Sequence, residues 1–300
     1  MTSRECELEL NNGQQLTIHG SLDFPITAYY TDIKNKWLGE LSWHWHNDIE
    51  VLLVKQGRAL LKLQEQAIIL EEGEGAFLNS NTLHSIENIN GSECFLHSLV
   101  FCPSFLSSGV ESIFAQKYIR PLVNSNLSVA TFNNEESWHS EALKDVEAAY
   151  LAYESGSLGY EWLIREKLSR IWFLIFSKHK DTIKQVRIET QDSKRIKTLI
   201  SFIRQHYAKH LTIQMIAESA NISVRECQRC FKGAIGISPI QYLLQYRLTI
   251  AIKLLCETDK DITEICYESG FQSPSYFTKK FKEQFGYPPL EYRRCFRSPT

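Results

Sequence analysis

The sequence lacks any long hydrophobic run, and its first ten residues, MTSRECELEL, are charged rather than apolar. The densest apolar stretch, from Ile171 to Phe176, is far too short to cross a bilayer. No apolar segment typical of a secretory signal is visible at the start of the chain. These absences argue against an exported or membrane-spanning protein and predict a cytoplasmic one.

Signatures of catalysis are also scarce. The chain has no glycine-rich phosphate loop and no GxSxG nucleophile elbow. Its eight cysteines are scattered, and the only CxxC, Cys227 and Cys230, has no second pair at zinc-ribbon spacing. We therefore expect reduced, buried thiols and no catalytic residues.

The net charge is small, at −2, but it is unevenly distributed. Residues 1–189 contain 16 Lys and Arg against 25 Asp and Glu, whereas residues 190–300 contain 17 against 10. The first part therefore carries −9 and the second +7. Because nucleic acids are polyanions, we expect any nucleic acid to bind the C-terminal third.

Short apolar and β-branched runs separated by turn residues occupy residues 16–101, a pattern typical of an antiparallel barrel or sandwich. From about 105 to 180 the period becomes helical, and the helix over 160–176 is more apolar than one buried face requires. This helix either packs into the core or forms the seam of a homodimer. The polar, lysine-rich stretch 177–194 is typical of a linker.

An internal repeat lies in the last third of the chain, where residues 212–242 align with residues 261–292. In each copy a capping residue, a short helix and a turn residue precede a second, capped helix. We expect Glu226 and Glu264 to complete capping boxes with Ser223 and Asp261. Each copy is therefore a predicted helix-turn-helix. The capping and turn residues are Thr212, Asn221 and Ser223 in the first copy and Asp261, Gly270 and Ser273 in the second.

The second helix of each copy has an apolar face and a polar face. The apolar residues, expected in the core, are Cys227, Cys230 and Phe231 in the first copy and Phe277, Phe281 and Phe285 in the second. Arg can bridge guanine and Gln can pair with adenine in the major groove, so the polar faces are predicted to bind DNA. Their residues are Arg225, Gln228, Arg229 and Lys232 in the first copy and Ser275, Thr278, Lys279 and Lys282 in the second.

The repeat, the joining segment SPIQYLLQYRLTIAIKLLCETD and the string ITEICYESGFQSPSYFTKKFKEQFGYPPLEYRR resemble the AraC family of transcription regulators. The resemblance covers about residues 193–295 and implies two helix-turn-helix units in successive major-groove turns of double-stranded DNA. Asn221 stands where the family usually has Gly, and Cys266 where Ala is usual. The implied base contacts come from Arg225, Gln228 and Arg229 in the first unit and from Ser275, Thr278 and Lys279 in the second.

A second constellation lies nearer the N-terminus, where His44-x-His46-x3-Glu50 is followed by His84. It resembles the cupin motifs over about residues 20–101, with Ser80 where a Pro is usual. Side chains alternate along a strand, so His44, His46 and Glu50 share a face if the strand is regular. With His84 they offer three imidazoles and a carboxylate to a divalent transition metal, to a polar small-molecule effector or to core hydrogen bonds.

These expectations combine into an α+β fold, with an N-terminal antiparallel cupin-like β-barrel, flanking helices and a C-terminal all-α double helix-turn-helix domain. The expected domains are a ligand-sensing barrel (1–105), a helical dimerisation region with linker (106–190) and a DNA-binding domain (191–300). The predicted function is effector-dependent regulation of nearby catabolic genes, with RNA polymerase as a partner of an activator and no membrane partner. The alternatives are a metal-dependent cupin enzyme with a DNA-binding tail and a DNA-binding protein without a ligand.

Overall fold

The computed structural model describes residues 3–5, 10–11, 14–15, 19–21, 23–34, 40–107, 109, 111–133, 135–184 and 190–296. The chain divides into two compact units between Thr190 and Gln191. The part before this division contains the strands, whereas residues 191–296 form helices and their connections. No helix in the described ranges is both long and apolar enough to cross a membrane.

The strands of the first unit form two principal sheets. In chain order they are β1 Arg4–Glu5, β2 Leu10–Asn11, β3 Gln14–Gln15, β4 Ile26–Asp32, β5 Glu40–His44, β6 Ile49–Gly57, β7 Ala59–Leu63, β8 Ala67–Leu70, β9 Gly75–Leu78, β10 His84–Asn88, β11 Cys94–Phe101 and β12 Val129–Phe132. A six-stranded sheet has the order β1-β4-β11-β6-β9-β12, and a four-stranded sheet has the order β5-β10-β7-β8. Pairing in both is antiparallel except between β1 and β4.

Helices follow the sheets in the first unit. They are α1 Arg120–Val123, α2 Ser137–Ser155, α3 Tyr160–Lys178 and α4 Lys180–Ile183, with a 3-10 helix at Pro103–Leu106 and a π-helical turn at Ala115–Ile119. Helices α2 and α3 confirm the helical pattern predicted after residue 105. Residues 129–132 correct it, because they form β12 and hydrogen-bond to β9 at the sheet edge. The predicted linker 177–194 includes helical residues at both ends, and its residues 185–189 lie outside the described ranges.

Strand β6 separates two apolar cores. Because successive side chains of a strand alternate between faces, Ile49 and Val51 lie on one face of the six-stranded sheet and Leu52 and Val54 on the other. The first pair belongs to a core formed with α2 and α3. The second pair belongs to a core that both sheets line. The six-stranded sheet is therefore the middle layer of the first unit, which confirms the predicted antiparallel β-fold with flanking helices.

The second unit is a set of seven helices between residues 191 and 296. They are α5 Gln191–His206, α6 Ile213–Ser219, α7 Val224–Ala234, α8 Pro239–Glu257, α9 Ile262–Glu268, α10 Pro274–Phe285 and α11 Pro289–Phe296. The pairs α6–α7 and α9–α10 are the two predicted helix-turn-helix motifs, and α8 joins them. Their core faces confirm the predicted pattern, since Cys227, Phe231, Phe277 and Phe281 are fully buried.

The turn inside each motif requires a left-handed residue. Asn221 has φ 53° in the first motif and Gly270 has φ 87° in the second, and Asn and Gly tolerate this region best. Gly270 has an additional requirement, because a Cβ there would lie 2.4 Å from Tyr207 O and 2.8 Å from Arg247 Nε. That arginine donates hydrogen bonds to Tyr207 O and Lys209 O. The second turn therefore has no room for a side chain.

The N-termini of the helices agree only in part with the capping boxes predicted from the sequence. Ser223 accepts a hydrogen bond from Glu226 N, and Asp261 accepts one from Glu264 N, as predicted. The reciprocal half of the first box is wrong, because the Glu226 carboxylate binds two arginines instead. A complete capping box occurs at α8, where Ser238 and Gln241 exchange hydrogen bonds.

Candidate effector site and DNA-reading surface

Three histidines of the first unit converge in the space between the two sheets. His44 ends β5 and pairs in register with His84, which begins β10, while His46 follows β5. One nitrogen of each imidazole lies within 4.8 Å of a nitrogen of the other two, and all three side chains are buried. The cluster that the sequence predicted is therefore present.

The same hydrogen-bond pattern fixes all three imidazoles. Their Nδ1 atoms lie 2.8–2.9 Å from the backbone carbonyls of Ser42, Asp48 and Thr82. Because a carbonyl only accepts, Nδ1 must carry the proton, and Nε2 of a neutral ring then presents a lone pair. The backbone thus selects the tautomer in which every Nε2 is a potential ligand atom.

Glu50 approaches the histidines from the other sheet. It lies on the inner face of β6, and its Oε2 is 3.5 Å from the Nε2 atoms of His46 and His84. Burial and the adjacent His84 lower the pKa of His44 well below 6.5, which favours the neutral ring. The cluster therefore combines a carboxylate with imidazole nitrogens that carry a lone pair.

The expectation that His44, His46 and Glu50 lie on one strand is wrong. The chain leaves β5 after His44 and bends before β6 begins at Ile49, so that Glu50 belongs to the six-stranded sheet. The side chains converge because the two sheets face each other, rather than because of strand alternation.

His19 is a fourth buried imidazole beside this cluster, which the sequence analysis missed. Its ring centroid is 6.1 Å from that of His46, and its Nδ1 is 2.8 Å from the Tyr29 hydroxyl. Its Nε2 is 3.9 Å from an oxygen of Asp48. Burial, together with the nearby His46, lowers the pKa of His19 from 6.5 to about 4. No periodic pattern surrounds residue 19, so the sequence gives no signal for this placement.

The cluster has the chemistry of a divalent metal site. The Nε2 atoms of His46 and His84 are buried and have no hydrogen-bond partner, although buried polar atoms are normally satisfied. Imidazole nitrogens with an adjacent carboxylate suit Zn²⁺ and the other late first-row ions. The three imidazoles therefore fit a metal ion, and the Glu50 carboxylate lies beside two of them.

In the second unit, the predicted DNA-contacting residues lie on one surface of α7 and on one surface of α10. Thr278 is half-buried, and the other seven predicted side chains are exposed. Two of them already have partners: Lys232 Nζ donates to Gly236 O at 3.0 Å. Arg229 Nη2 lies 3.0 Å from Asp192 Oδ2 and 3.3 Å from Glu226 Oε1. The contact with Asp192, from helix α5, has no sequence signal.

The fold and these surfaces define a DNA-binding protein in which two helix-turn-helix motifs follow a β-sheet domain along the chain. Residues 216–295 match the family described as a helix-turn-helix domain, and residues 35–139 match the AraC-like ligand binding domain. The chain belongs to the AraC family of transcription regulators. It is a sequence-specific DNA-binding transcription regulator.

The names of similar proteins agree with this assignment to the AraC family. The uncharacterized HTH-type transcriptional regulator YdeC of Bacillus subtilis (strain 168) is 30% identical over 94% of this chain and 96% of its own length. The HTH-type transcriptional activator RhaS of Enterobacter sp. (strain 638) is 22% identical over 84% of this chain and 87% of its own. The lactose operon transcription activator of Staphylococcus xylosus is 35% identical over 37% of this chain and 39% of its own.

Proposed function

We propose that this regulator senses a small metabolite in its first unit and that His44, His46, His84 and Glu50 form the sensing site. The observation that carries this proposal is the orientation of the three imidazoles, each fixed by a backbone carbonyl so that Nε2 faces its neighbours. These residues would hold a divalent transition metal, which supplies a Lewis-acidic position for an oxygen donor of the effector. An effector with adjacent hydroxyl or carboxylate oxygens, such as a sugar or a sugar acid, fits this chemistry.

Regulation requires that the effector bind two states of the protein with different affinity. We therefore expect metal and effector to raise the melting temperature of the first unit and to change operator affinity together. Relatives named as activators, one of them of a lactose operon, support a role in activation. We further propose nearby catabolic genes as the targets and RNA polymerase as the partner in activation.

Thermal-shift measurements with Zn²⁺, Co²⁺, Ni²⁺ and a library of sugars and sugar acids test the sensing site. The double variant His46→Ala/Glu50→Ala should lose the shift and the change in operator affinity while it keeps basal DNA binding. The exposed His210 provides a control, because His210→Ala removes an imidazole far from the cluster in sequence and should leave both responses intact. An effector that stabilises the double variant as fully as the wild type would place the pocket elsewhere.

For the second unit we propose that the two exposed helix surfaces read DNA in the major groove. The residues are Arg225, Gln228, Arg229 and Lys232 on α7 and Ser275, Thr278, Lys279 and Lys282 on α10. A site selected from a random DNA library by the full chain provides the probe. Arg229→Ala should cost about 1–3 kcal/mol on this site and relax the preference at one base position. Equal losses on the selected site and on random DNA would contradict the assignment.

The protein is also proposed to act as a homodimer that binds two half-sites. Helix α3 exposes Trp162 and Phe173 at 78% and 59%, and their spacing of eleven residues places them on one helix face. Sedimentation of the full chain should give a dimer that Trp162→Asp/Phe173→Asp converts to a monomer. The exposed pair Ile113 and Phe114, at 65% and 53%, serves as the control for the loss of apolar side chains. A monomeric wild type, or dissociation by the control variant alone, would contradict this interface.

A further inference from the structure

The side chain of Arg229 is held in place by an acidic residue from outside the helix-turn-helix motifs. Asp192 lies in the first turn of α5, before the segment 216–295 that matches the helix-turn-helix family. Its Oδ2 is 3.0 Å from Arg229 Nη2, and its Oδ1 is 3.2 Å from the same nitrogen. Glu226, one turn before Arg229 on α7, adds a contact of 3.3 Å to Nη2.

A second arginine balances the charge of these two carboxylates. Arg195 Nη1 is 2.9 Å from Glu226 Oε1 and 3.3 Å from Asp192 Oδ1. Two guanidinium groups therefore meet two carboxylates, and the cluster is neutral as a whole. Although desolvation acts in the opposite direction, the hydrogen bonds from Arg229 and Arg195 lower the pKa of Asp192 below its ordinary value. Asp192 is therefore ionised at neutral pH.

The cluster uses only one of the three nitrogens of the Arg229 guanidinium. The polar contacts of Arg229 with described residues are all made by Nη2, and the side chain is 59% exposed. A guanidinium has five N–H groups in a planar fork. The N–H groups of Nε and Nη1 thus remain available to the acceptors of a base, such as guanine O6 or N7, while Nη2 keeps its carboxylate partner.

We propose that Asp192 is a positioning residue for DNA specificity, which orients Arg229 for hydrogen bonding to one guanine. The inference rests on the proposed base-reading role of Arg229. A free arginine side chain samples many rotamers and loses that freedom when it binds a base. The carboxylate of Asp192 restricts the guanidinium before DNA arrives, so less conformational freedom is lost at the selected base.

A role of Asp192 in withholding Arg229 from DNA predicts the opposite change in DNA affinity. If Asp192 merely withheld Arg229 from DNA, removal of its charge would tighten binding to every sequence. Removal of any acidic side chain near DNA also tightens binding, because it reduces repulsion of the phosphates. A test must therefore separate the loss of orientation from the change in charge.

The experiment compares Asp192→Asn with Glu218→Gln in the full chain. Glu218 is an exposed carboxylate on α6 that pairs with Gln214 and touches none of the predicted base-contacting residues, so both changes remove one negative charge. Dissociation constants are measured on the selected site, on its single-base variants and on random DNA, at two salt concentrations. Matched thermal melts show that both variants are folded.

Relative to Glu218→Gln, Asp192→Asn should bind the selected site about twofold to fivefold more weakly, the range of an exposed ion pair. It should bind random DNA equally well, and the loss of discrimination should concentrate at one guanine. In the Arg229→Ala background, Asp192→Asn should have no further effect on base preference. If Asp192→Asn matches Glu218→Gln on every DNA, or tightens binding to the selected site beyond it, the positioning role is overturned.

If the proposed base-reading role of Arg229 is itself wrong, the measured affinities follow a different pattern. If Arg229→Ala weakens the selected site and random DNA equally, Arg229 does not read a base, and both proposals are wrong. If Arg229→Ala removes discrimination at one base and Asp192→Asn does not alter it, only the role of Asp192 is wrong.

Discussion

Acidification should destabilise the first unit through His19. Its pKa is about 4 in the folded protein, below the ordinary 6.5, because the ring is buried and lies near His46. The unfolded chain therefore binds a proton that the folded chain does not bind between these two pH values. Stability is then lost as the pH falls below 6.5, and the loss levels off below about 4. With 1.36 kcal/mol for each pKa unit, this histidine removes about 2 kcal/mol of unfolding free energy between pH 7 and pH 5.

Tryptophan fluorescence can follow this loss in the intact protein, since every tryptophan precedes residue 190. The six are Trp37, Trp43, Trp45, Trp138, Trp162 and Trp172. Urea titrations at pH 7 and pH 5, in the presence of a chelator, give the free energy of unfolding of the first unit. His19→Gln keeps a hydrogen-bonding group near the Tyr29 hydroxyl and removes the titration. The variant should lose about 2 kcal/mol less than the wild type over this range, and the same pH dependence in both proteins would refute the reasoning.

Four further substitutions test the packing and charge of the second unit. Gly270→Ala should lower the local free energy of unfolding of α9 and α10 by about 3 kcal/mol, from its positive φ and the disturbed Arg247 contact. Amide hydrogen exchange would show this loss, whereas Asn221→Gly should change protection of the first motif by less than about 0.5 kcal/mol. Phe281→Ala should cost about 3–5 kcal/mol of unfolding free energy, because its ring is fully buried, and a loss below 1 kcal/mol would contradict that packing. Lys232→Ala should weaken binding to the selected site and to random DNA alike, and should reduce the slope of log affinity against log salt concentration by about one. A base-specific loss of affinity would instead assign Lys232 to direct readout.

The helix-turn-helix motifs could be predicted in detail because their determinants are local. Ser223 and Ser273 cap the helices that they precede, and Asn221 and Gly270 take the left-handed turn, all within a few residues of the elements they shape. Long-range partners leave no such pattern in the sequence. The carboxylate of Glu226 was expected at the start of its own helix but binds Arg195 from α5, a charged partner 31 residues away.

The fold class of the first unit could be predicted from the sequence, but several of its strands and contacts could not. The alternation of apolar residues in β6 and the helical period of α2 and α3 indicated a sheet with helices. Strand β12 was missed because four residues acquire their conformation from pairing with β9, far away in the sequence. His19 was missed for the same reason. The convergence of His44, His46 and Glu50 was predicted correctly, but from an unbroken strand that the structure does not contain.

The position of Glu50 in the middle layer has a mechanical consequence. Its neighbours Ile49 and Val51 point to the opposite face of β6, where they pack against α2 and α3. A ligand that joins Glu50 to His44 and His84 would link the six-stranded sheet to the four-stranded sheet. Because Ile49 and Val51 adjoin Glu50 in β6, we expect a shift of Glu50 toward that ligand to displace both of them. We therefore expect strand β6 to couple occupancy of the site to the helical layer, whose outer surface carries Trp162 and Phe173.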